Sequence, residues 1–127
     1  MIVMEGAKRF GGRSEDEAAK YLSGLGYKVL ERNFRTKVGE IDLIAKEGGT
    51  LVFVEVKSLR STGFGTPELK VDWHKRRQIA RAAMMYLTRK RLGDVPCRFD
   101  VVALFKGADT EYKFQLFRDA FELDGGY

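Results

Sequence analysis

The sequence has few residues that can form covalent or metal cross-links: one cysteine and one histidine among 127 residues. A disulfide framework and a zinc site built from Cys and His within one chain are therefore excluded. A single thiol is consistent with a reducing compartment. No apolar run reaches the length of about 18 residues expected of a membrane span, and the start, MIVMEGAKRF, lacks the order of a signal peptide. We expect a cytoplasmic protein that does not contact a membrane.

Proline is also scarce, with two residues, and the chain has no Pro-rich linker, internal repeat or low-complexity stretch. One domain over residues 1–127 is the simplest prediction for this length. A folded chain of this size buries about two-thirds of its surface, which is enough for a core without cross-links. The content of 44% hydrophobic and 32% charged residues is typical of a folded protein and not of a disordered one.

The positive charge is concentrated in one segment, although the net charge of the whole chain is only +5. Residues 57–91 contain ten Lys or Arg and two acidic residues, whereas the rest contains 13 basic and 16 acidic residues. A basic segment on an otherwise slightly acidic protein favours a polyanionic partner such as nucleic acid. The alternative is a solvated helix face, and Arg77 and Arg81, four residues apart, fit either interpretation.

Hydrophobic periodicity and turn residues predict two helices and five strands in the order αβββαββ. The helices are expected at residues 15–23 and 72–91, the first beginning with a capping box from Ser14 to Glu17. The strands are expected at residues 27–34, 40–45, 51–56, 98–105 and 112–117. This order predicts an α/β protein in which helices pack on a mixed sheet.

The second and third strands are joined by Gly48-Gly49, which is typical of a two-residue hairpin turn. That turn would place Asp42 opposite Glu55, and Glu40 opposite Lys57, with all four on one face of the sheet. The other face is expected to be wholly apolar and to consist of Ile41, Leu43, Ala45, Val52, Val54 and Val56.

The facing pair of Asp42 and Glu55 would be unfavourable without a compensating charge, because facing carboxylates repel and buried charge costs several kcal/mol per ion. Two carboxylates can converge on Mg²⁺, which prefers oxygen ligands. Lys57, on the same face, could orient water or stabilise developing negative charge. This set predicts metal-assisted phosphodiester hydrolysis. The alternative is an exposed hairpin end with surface ion pairs worth roughly 0–1 kcal/mol.

The first helix supplies another acid, Glu15, which shares a stripe with Ala18 and Leu22. Its carboxylate would either stabilise the helix dipole or join the metal site. The neighbouring Glu17 is best explained by the capping box alone.

Several linked motifs identify a family resemblance. They are SEDEAAKYL at 14–22, GEIDLIA at 39–45, LVFVEVK at 51–57, FGTP at 64–67 and RFDVV at 98–102. Together they resemble the YraN-like family of small bacterial proteins over about residues 11–105. That family is similar to the restriction-endonuclease-like superfamily, near the archaeal Holliday junction resolvases. The implied fold is a mixed β-sheet core flanked by helices.

The resemblance implies a nuclease site. Asp42, Glu55 and Lys57 would occupy the metal and catalytic positions of the PD-(D/E)xK motif, and Glu15 the helix-one acid position. The backbone carbonyl of Val56 would be a further ligand of Mg²⁺ or Mn²⁺. The implied activity is endonucleolytic hydrolysis of DNA, including branched or structured DNA, and the resolvase relatives suggest a homodimer.

Four basic residues are expected to contact nucleic acid: Arg60, Lys75, Arg77 and Arg81. Trp73 and Phe64 could stack on unpaired bases, although burial against the sheet is the favoured interpretation. His74 is expected to be an exposed residue at the helix start. The alternatives to a nuclease are a non-catalytic nucleic-acid-binding module, which keeps the basic surface, and an adaptor of another protein, which has no use for buried acids.

Overall fold

The computed structural model describes residues 2–60, 72–106 and 111–121, and the side chains of 13–59, 72–105 and 111–121. The elements follow the predicted order: α1 (Ile2–Gly24), β1 (Lys28–Arg35), β2 (Glu40–Glu47), β3 (Thr50–Arg60), α2 (Trp73–Lys90), β4 (Cys97–Lys106) and β5 (Tyr112–Phe117). The Phe64 prediction, the motif at 64–67 and the Arg60 side chain lie outside the described residues. None of the described helices combines the length and apolarity needed to cross a bilayer.

The five strands form one mixed sheet in the order β1-β2-β3-β4-β5. Neighbouring strands are antiparallel except β3 and β4, which run parallel and are connected through α2. One apolar layer packs beneath α2 and includes Phe53, while the other packs beneath α1 and includes Val54. Because both faces of β3 are covered, its first half is a continuous buried run, as expected of a central strand.

Helix α1 is longer than predicted, because it begins at Ile2 and not after Ser14. An N-cap residue needs a non-helical backbone, and the backbone around Ser14 is helical. The capping-box prediction is therefore wrong, and Ser14 is a buried residue inside the helix. Good helix formers upstream, such as Met4, Ala7 and Lys8, favour helix despite the three glycines at 6, 11 and 12.

The hairpin register is as predicted from the turn to the middle of the strands. Glu47 pairs with Thr50, Leu43 pairs with Val54, and Gly48 takes the left-handed φ of 59° that the turn requires. The β2–β3 ladder ends at Leu43 and Val54. Beyond this point the hairpin opens, so the predicted pairing of residues 40 and 57 does not continue the ladder.

The opening coincides with a kink in the β1–β2 pair. Arg32 pairs with Leu43 and Phe34 pairs with Ile41, but Asn33 between them has a φ of 51°. Asparagine tolerates this conformation better than most residues do. After the kink, Phe34 and Ile41 both lie in the layer beneath α2. The prediction that Ile41 shares the face of Leu43 is therefore wrong, because regular alternation stops at the kink.

The turn before β2 packs directly on α2. Thr36 accepts hydrogen bonds at its Oγ1 from the backbone N–H groups of Val38 and Gly39, both at 3.1 Å. A Cβ added at Gly39 would stand 2.6 Å from the backbone oxygen of Gln78 and 2.9 Å from its Cβ. Gly39 is therefore required for the close approach of this turn to the helix.

We expect Gly39→Ala to lower the free energy of unfolding by about 1–3 kcal/mol, because α2 must move to admit the methyl group. Gly49→Ala is the matched control, since a Cβ there meets no atom of the described residues within 4 Å. Denaturant unfolding of both variants is the measurement. Equal stability of the two would show that the contact does not restrict residue 39.

A buried polar network lies near the hairpin turn, at the other end of β2. Asp100 is fully buried and accepts hydrogen bonds from Tyr27 Oη at 2.8 Å, from Arg98 Nε at 2.8 Å and Nη2 at 2.9 Å, and from the Asp119 N–H at 2.9 Å. Arg98 also donates to Glu47 at 2.8 Å. Burial and the Asp100 hydrogen bond raise the pKa of Tyr27 to about 12. The network joins β1, β2, β4 and the end of β5.

Candidate active site

Where the hairpin opens, the Asp42 carboxylate takes the place of a backbone carbonyl as hydrogen-bond acceptor. Its Oδ2 accepts a hydrogen bond from the Val56 N–H at 2.8 Å. In a continued antiparallel ladder that N–H would donate to the backbone of Ile41. The Asp42 carboxylate is thus fixed between the diverging strands β2 and β3.

Glu55 lies beside Asp42, and their carboxyl groups are hydrogen-bonded to each other. The Glu55 side chain is one-tenth exposed, and Lys75 Nζ lies 3.6 Å from its Oε2. Burial and, secondarily, the hydrogen bond and charge of Asp42 raise the pKa of Glu55 to about 8, although Lys75 opposes the shift. We name Asp42 and Glu55 the carboxylate pair. Glu55 is therefore expected to hold a proton near neutral pH, chiefly because partial burial disfavours its charged form.

Glu15 on α1 is close enough to the carboxylate pair for the charge of Asp42 to affect its pKa. Its pKa is raised by burial and then by the negative charge of Asp42, while a hydrogen bond with Asn33 lowers it. The kinked residue Asn33 therefore helps to position the third acid. Within the described residues, no group of three or more His, Cys, Asp or Glu side chains is close enough to hold a metal ion. A cation site in this region would be formed by the carboxylate pair, with Glu15 close to it.

The donor chemistry of the carboxylate pair fits a hard divalent cation such as Mg²⁺ or Mn²⁺. Both groups are oxygen donors, and the raised pKa of Glu55 shows that a second negative charge beside Asp42 is disfavoured without a compensating cation. A cation would replace the Glu55 proton and remove the repulsion. Val56, whose carbonyl was the predicted additional ligand, lies between Glu55 and Lys57 on β3.

The two lysines and Glu40 lie in different places around the carboxylate pair. Lys57 is two residues beyond Glu55 on β3, in register with Ala103, and is partly buried. Lys75, predicted to contact nucleic acid, lies with its Nζ 3.6 Å from Glu55 Oε2, and its side chain is 40% exposed. Glu40 forms an ion pair with Arg35 of β1, with Nε 3.3 Å from Oε2. The predicted position of Glu40 opposite Lys57 is wrong, because β2 has already diverged from β3.

A basic groove adjoins the start of α2 and has a volume of about 580 Å³. Its lining consists of Lys37, Val38, Trp73, His74, Arg77, Gln78 and Arg81. The predicted pair of Arg77 and Arg81 therefore shares one surface with Lys37. Trp73 is 52% exposed, so its predicted burial against the sheet is wrong, and Arg77 Cζ lies 4.7 Å from its ring centroid.

Sequence reasoning missed three contributors to this region: Asn33, Gly39 and the Lys75–Glu55 contact. The motif GEIDLIA contains Gly39, but nothing local shows that its partner is the backbone of α2. An asparagine between strand residues was a usable signal for a left-handed position. The Lys75 contact depends on how α2 packs, which is a tertiary property.

We expect Glu55→Gln to raise the free energy of unfolding at pH 8.5 by on the order of 2–4 kcal/mol in metal-free buffer. Because folding raises the pKa of Glu55, the folded wild type holds a proton that the unfolded chain releases between pH 4.5 and about 8. Wild-type stability therefore falls as pH rises through this window, and glutamine removes that loss. The difference should vanish below pH 4.5. Chemical unfolding at several pH values measures it, with the exposed substitution Asp94→Asn as control.

Comparison with known proteins agrees with the YraN-like motifs. Residues 14–104 match the model of the uncharacterised protein family UPF0102. A UPF0102 protein of Geobacter sulfurreducens is 47% identical over 126 residues, covering 97% of this chain and 98% of that protein. A relative in Symbiobacterium thermophilum is 45% identical over 115 residues, covering 91% and 98%. The chain therefore belongs to the UPF0102 family.

Proposed function

We propose that the protein is a divalent-metal-dependent endonuclease that hydrolyses DNA phosphodiester bonds, including those of branched or structured DNA. The observation that carries the proposal is the carboxylate pair, which lies partly buried at the point where β2 and β3 diverge. A fold does not need this pair, because apolar or Thr residues suit a central strand better. An acid whose pKa is raised by its surroundings, as that of Glu55 is, is typical of functional sites.

The fold supports the same proposal. A mixed sheet with α1 on one face and α2 on the other agrees with a restriction-endonuclease-like core, and Asp42, Glu55 and Lys57 occupy the positions of the PD-(D/E)xK motif. The basic groove beside the carboxylate pair supplies a surface for a polyanion. Membership of that superfamily is part of the proposal.

The roles of the residues follow from their positions. Asp42 and Glu55, with the Val56 carbonyl, would hold Mg²⁺ or Mn²⁺, and Glu15 would lie beside the cation site as a further acid. The cation would supply Lewis-acid polarisation of water and of the phosphodiester. Lys57 stabilises the negative charge that develops on the phosphate and orients the attacking water. Lys75 holds the Glu55 carboxylate in place.

A second candidate, a non-catalytic nucleic-acid-binding module, is favoured by one observation. The Lys75 ammonium, 3.6 Å from Glu55, already offsets part of the negative charge of the carboxylate pair. An internal cation of this kind would let the fold keep its acids without a metal. Such a module would bind DNA through Arg77 and Arg81 and would cut none.

A cleavage assay with Mg²⁺ or Mn²⁺ tests the proposal on duplex, single-stranded, flap and four-way-junction DNA. The wild type is expected to cut at least one substrate, and EDTA or the double variant Asp42→Asn/Glu55→Gln should abolish cutting. The double variant keeps the shape and hydrogen-bonding capacity of the site. Thermal unfolding at pH 8 provides a second readout, because the cations should stabilise only the wild type. DNA binding without cleavage of any substrate, and equal stabilisation of both proteins, would support the binding module instead.

A further inference from the structure

We propose that the basic groove at the start of α2 holds an unpaired nucleotide of the substrate, with its base stacked on Trp73. The inference rests on the proposed function in one respect, namely that the partner is nucleic acid and is cut at the carboxylate pair. It narrows the substrate class to nucleic acid with a single-stranded segment next to the cleaved bond.

Trp73 is presented as a platform for stacking. Tryptophan side chains are mostly buried in folded proteins, yet Trp73 is 52% exposed. Arg77 holds the ring from one side, with its guanidinium carbon 4.7 Å from the ring centroid. Such a contact fixes the ring plane and adds a positive charge beside it. Aromatic rings next to cations are what proteins use to bind unpaired bases.

The charge of the groove fits a nucleotide. Its described lining contains three permanent cations, Lys37, Arg77 and Arg81, and no carboxylate. The volume of about 580 Å³ is within the usual range for small-ligand pockets. A base inside a duplex has both faces covered by neighbouring bases, so only an unpaired base can stack on Trp73.

The groove is connected to the carboxylate pair along two short paths. On α2, Trp73 is two residues before Lys75, which contacts Glu55. On the other wall, Val38 is four residues before Asp42, a distance of at most about 14 Å along an extended chain. The tight packing of Gly39 on Gln78 joins the two walls. A base in the groove and a phosphate at the carboxylate pair can therefore belong to one strand.

Fluorescence of Trp73 tests the inference directly, because this is the only tryptophan in the chain. The probes are oligothymidylate, a blunt duplex, the same duplex with an unpaired tail, and polyglutamate, all in EDTA. Oligothymidylate and the tailed duplex are expected to quench the fluorescence, whereas the blunt duplex and polyglutamate should leave it nearly unchanged. Three results would overturn the inference. The blunt duplex could quench the fluorescence as strongly as the tailed duplex, or no DNA could quench it. Equal quenching by polyglutamate would indicate a site for acidic peptides.

Affinity measurements with labelled DNA provide the second test. Trp73→Ala should weaken binding of the tailed duplex about 5- to 100-fold, and Trp73→Phe, which retains a ring, less than about 3-fold. Neither should change blunt-duplex binding. Met84→Ala is the matched control, because Met84 is another large exposed side chain of α2, 50% exposed. Unchanged tailed-duplex affinity in a folded Trp73→Ala protein would contradict the proposal.

The two proposals fail in different ways. Because these measurements are made without divalent cation, they report base stacking independently of cleavage. Base stacking in EDTA, together with no cleavage of any substrate when Mg²⁺ or Mn²⁺ is supplied, would support the groove assignment and refute the nuclease. If the wild type cleaves DNA, and Trp73→Ala shows the same preference between tailed and blunt substrates as the wild type, the nuclease would be supported and the groove assignment refuted.

Discussion

Lys57→Ala is expected to lower the rate of metal-dependent DNA cleavage about 10²- to 10³-fold and to leave DNA affinity within about 2-fold. Lys57 lies two residues beyond Glu55 on β3, so strand alternation places it on the same face as the carboxylate pair. A cation in that position stabilises charge that appears only in the transition state. Substrate binding depends on many other cations, so one lysine contributes little to affinity.

Single-turnover cleavage rates and binding of uncleaved DNA in EDTA separate the two effects. Lys57→Arg should not restore the rate, because a planar guanidinium does not replace a compact ammonium. Lys113→Ala is the matched control, since Lys113 is an exposed strand lysine on β5. Equal cleavage by wild type and Lys57→Ala would remove Lys57 from the mechanism.

Asp100→Ala is expected to lower the free energy of unfolding by about 3–5 kcal/mol, the loss typical of breaking a buried ion pair. The substitution removes the acceptor of Tyr27, of the Asp119 N–H and of two Arg98 nitrogens at once. Arg98 would keep Glu47 as its only remaining carboxylate in the described network. For a chain of this length, the expected fall in unfolding temperature is roughly 10–20 °C.

Calorimetric or denaturant unfolding measures this loss, and two variants calibrate it. Tyr27→Phe deletes the hydrogen bond to Asp100 and the one that Arg98 Nη2 donates to the Tyr27 hydroxyl, and it should cost about 1–2 kcal/mol. Asp94→Ala, at an exposed position, should change stability by less than about 0.5 kcal/mol. If Asp100→Ala were no worse than Tyr27→Phe, the network would not act as a unit.

Local patterns in the sequence were sufficient to predict most of the fold. Alternation and turn residues located all five strands, and Gly48-Gly49 set the register that brings Asp42 and Glu55 together. These features depend on residues close in sequence. The same holds for α2, whose boundaries, Trp73–Lys90, lie within one residue of the prediction at each end.

The remainder of the site depends on contacts between distant segments. The left-handed Asn33 and the early end of the ladder at Leu43 moved Ile41 to the other face, which an assumption of regular alternation cannot foresee. Trp73 is the first residue of α2 and is 52% exposed, and its exposure depends on where the end of the helix lies relative to the sheet. The Asp100 network was missed for the same reason, although an acid within an apolar strand was a usable signal.

The parallel pairing of β3 with β4 has a consequence for the order of assembly during folding. The strands of the β2–β3 hairpin adjoin in sequence, so the two acids can meet early, whereas Leu51 must find Cys97 across the intervening helix. Docking of α2, which brings Lys75 and Trp73 to the site, belongs to that slower step. A nascent chain would therefore form its carboxylate pair before its basic groove, and pulse-labelled amide exchange should show protection at residues 43–47 before protection at residues 97–106.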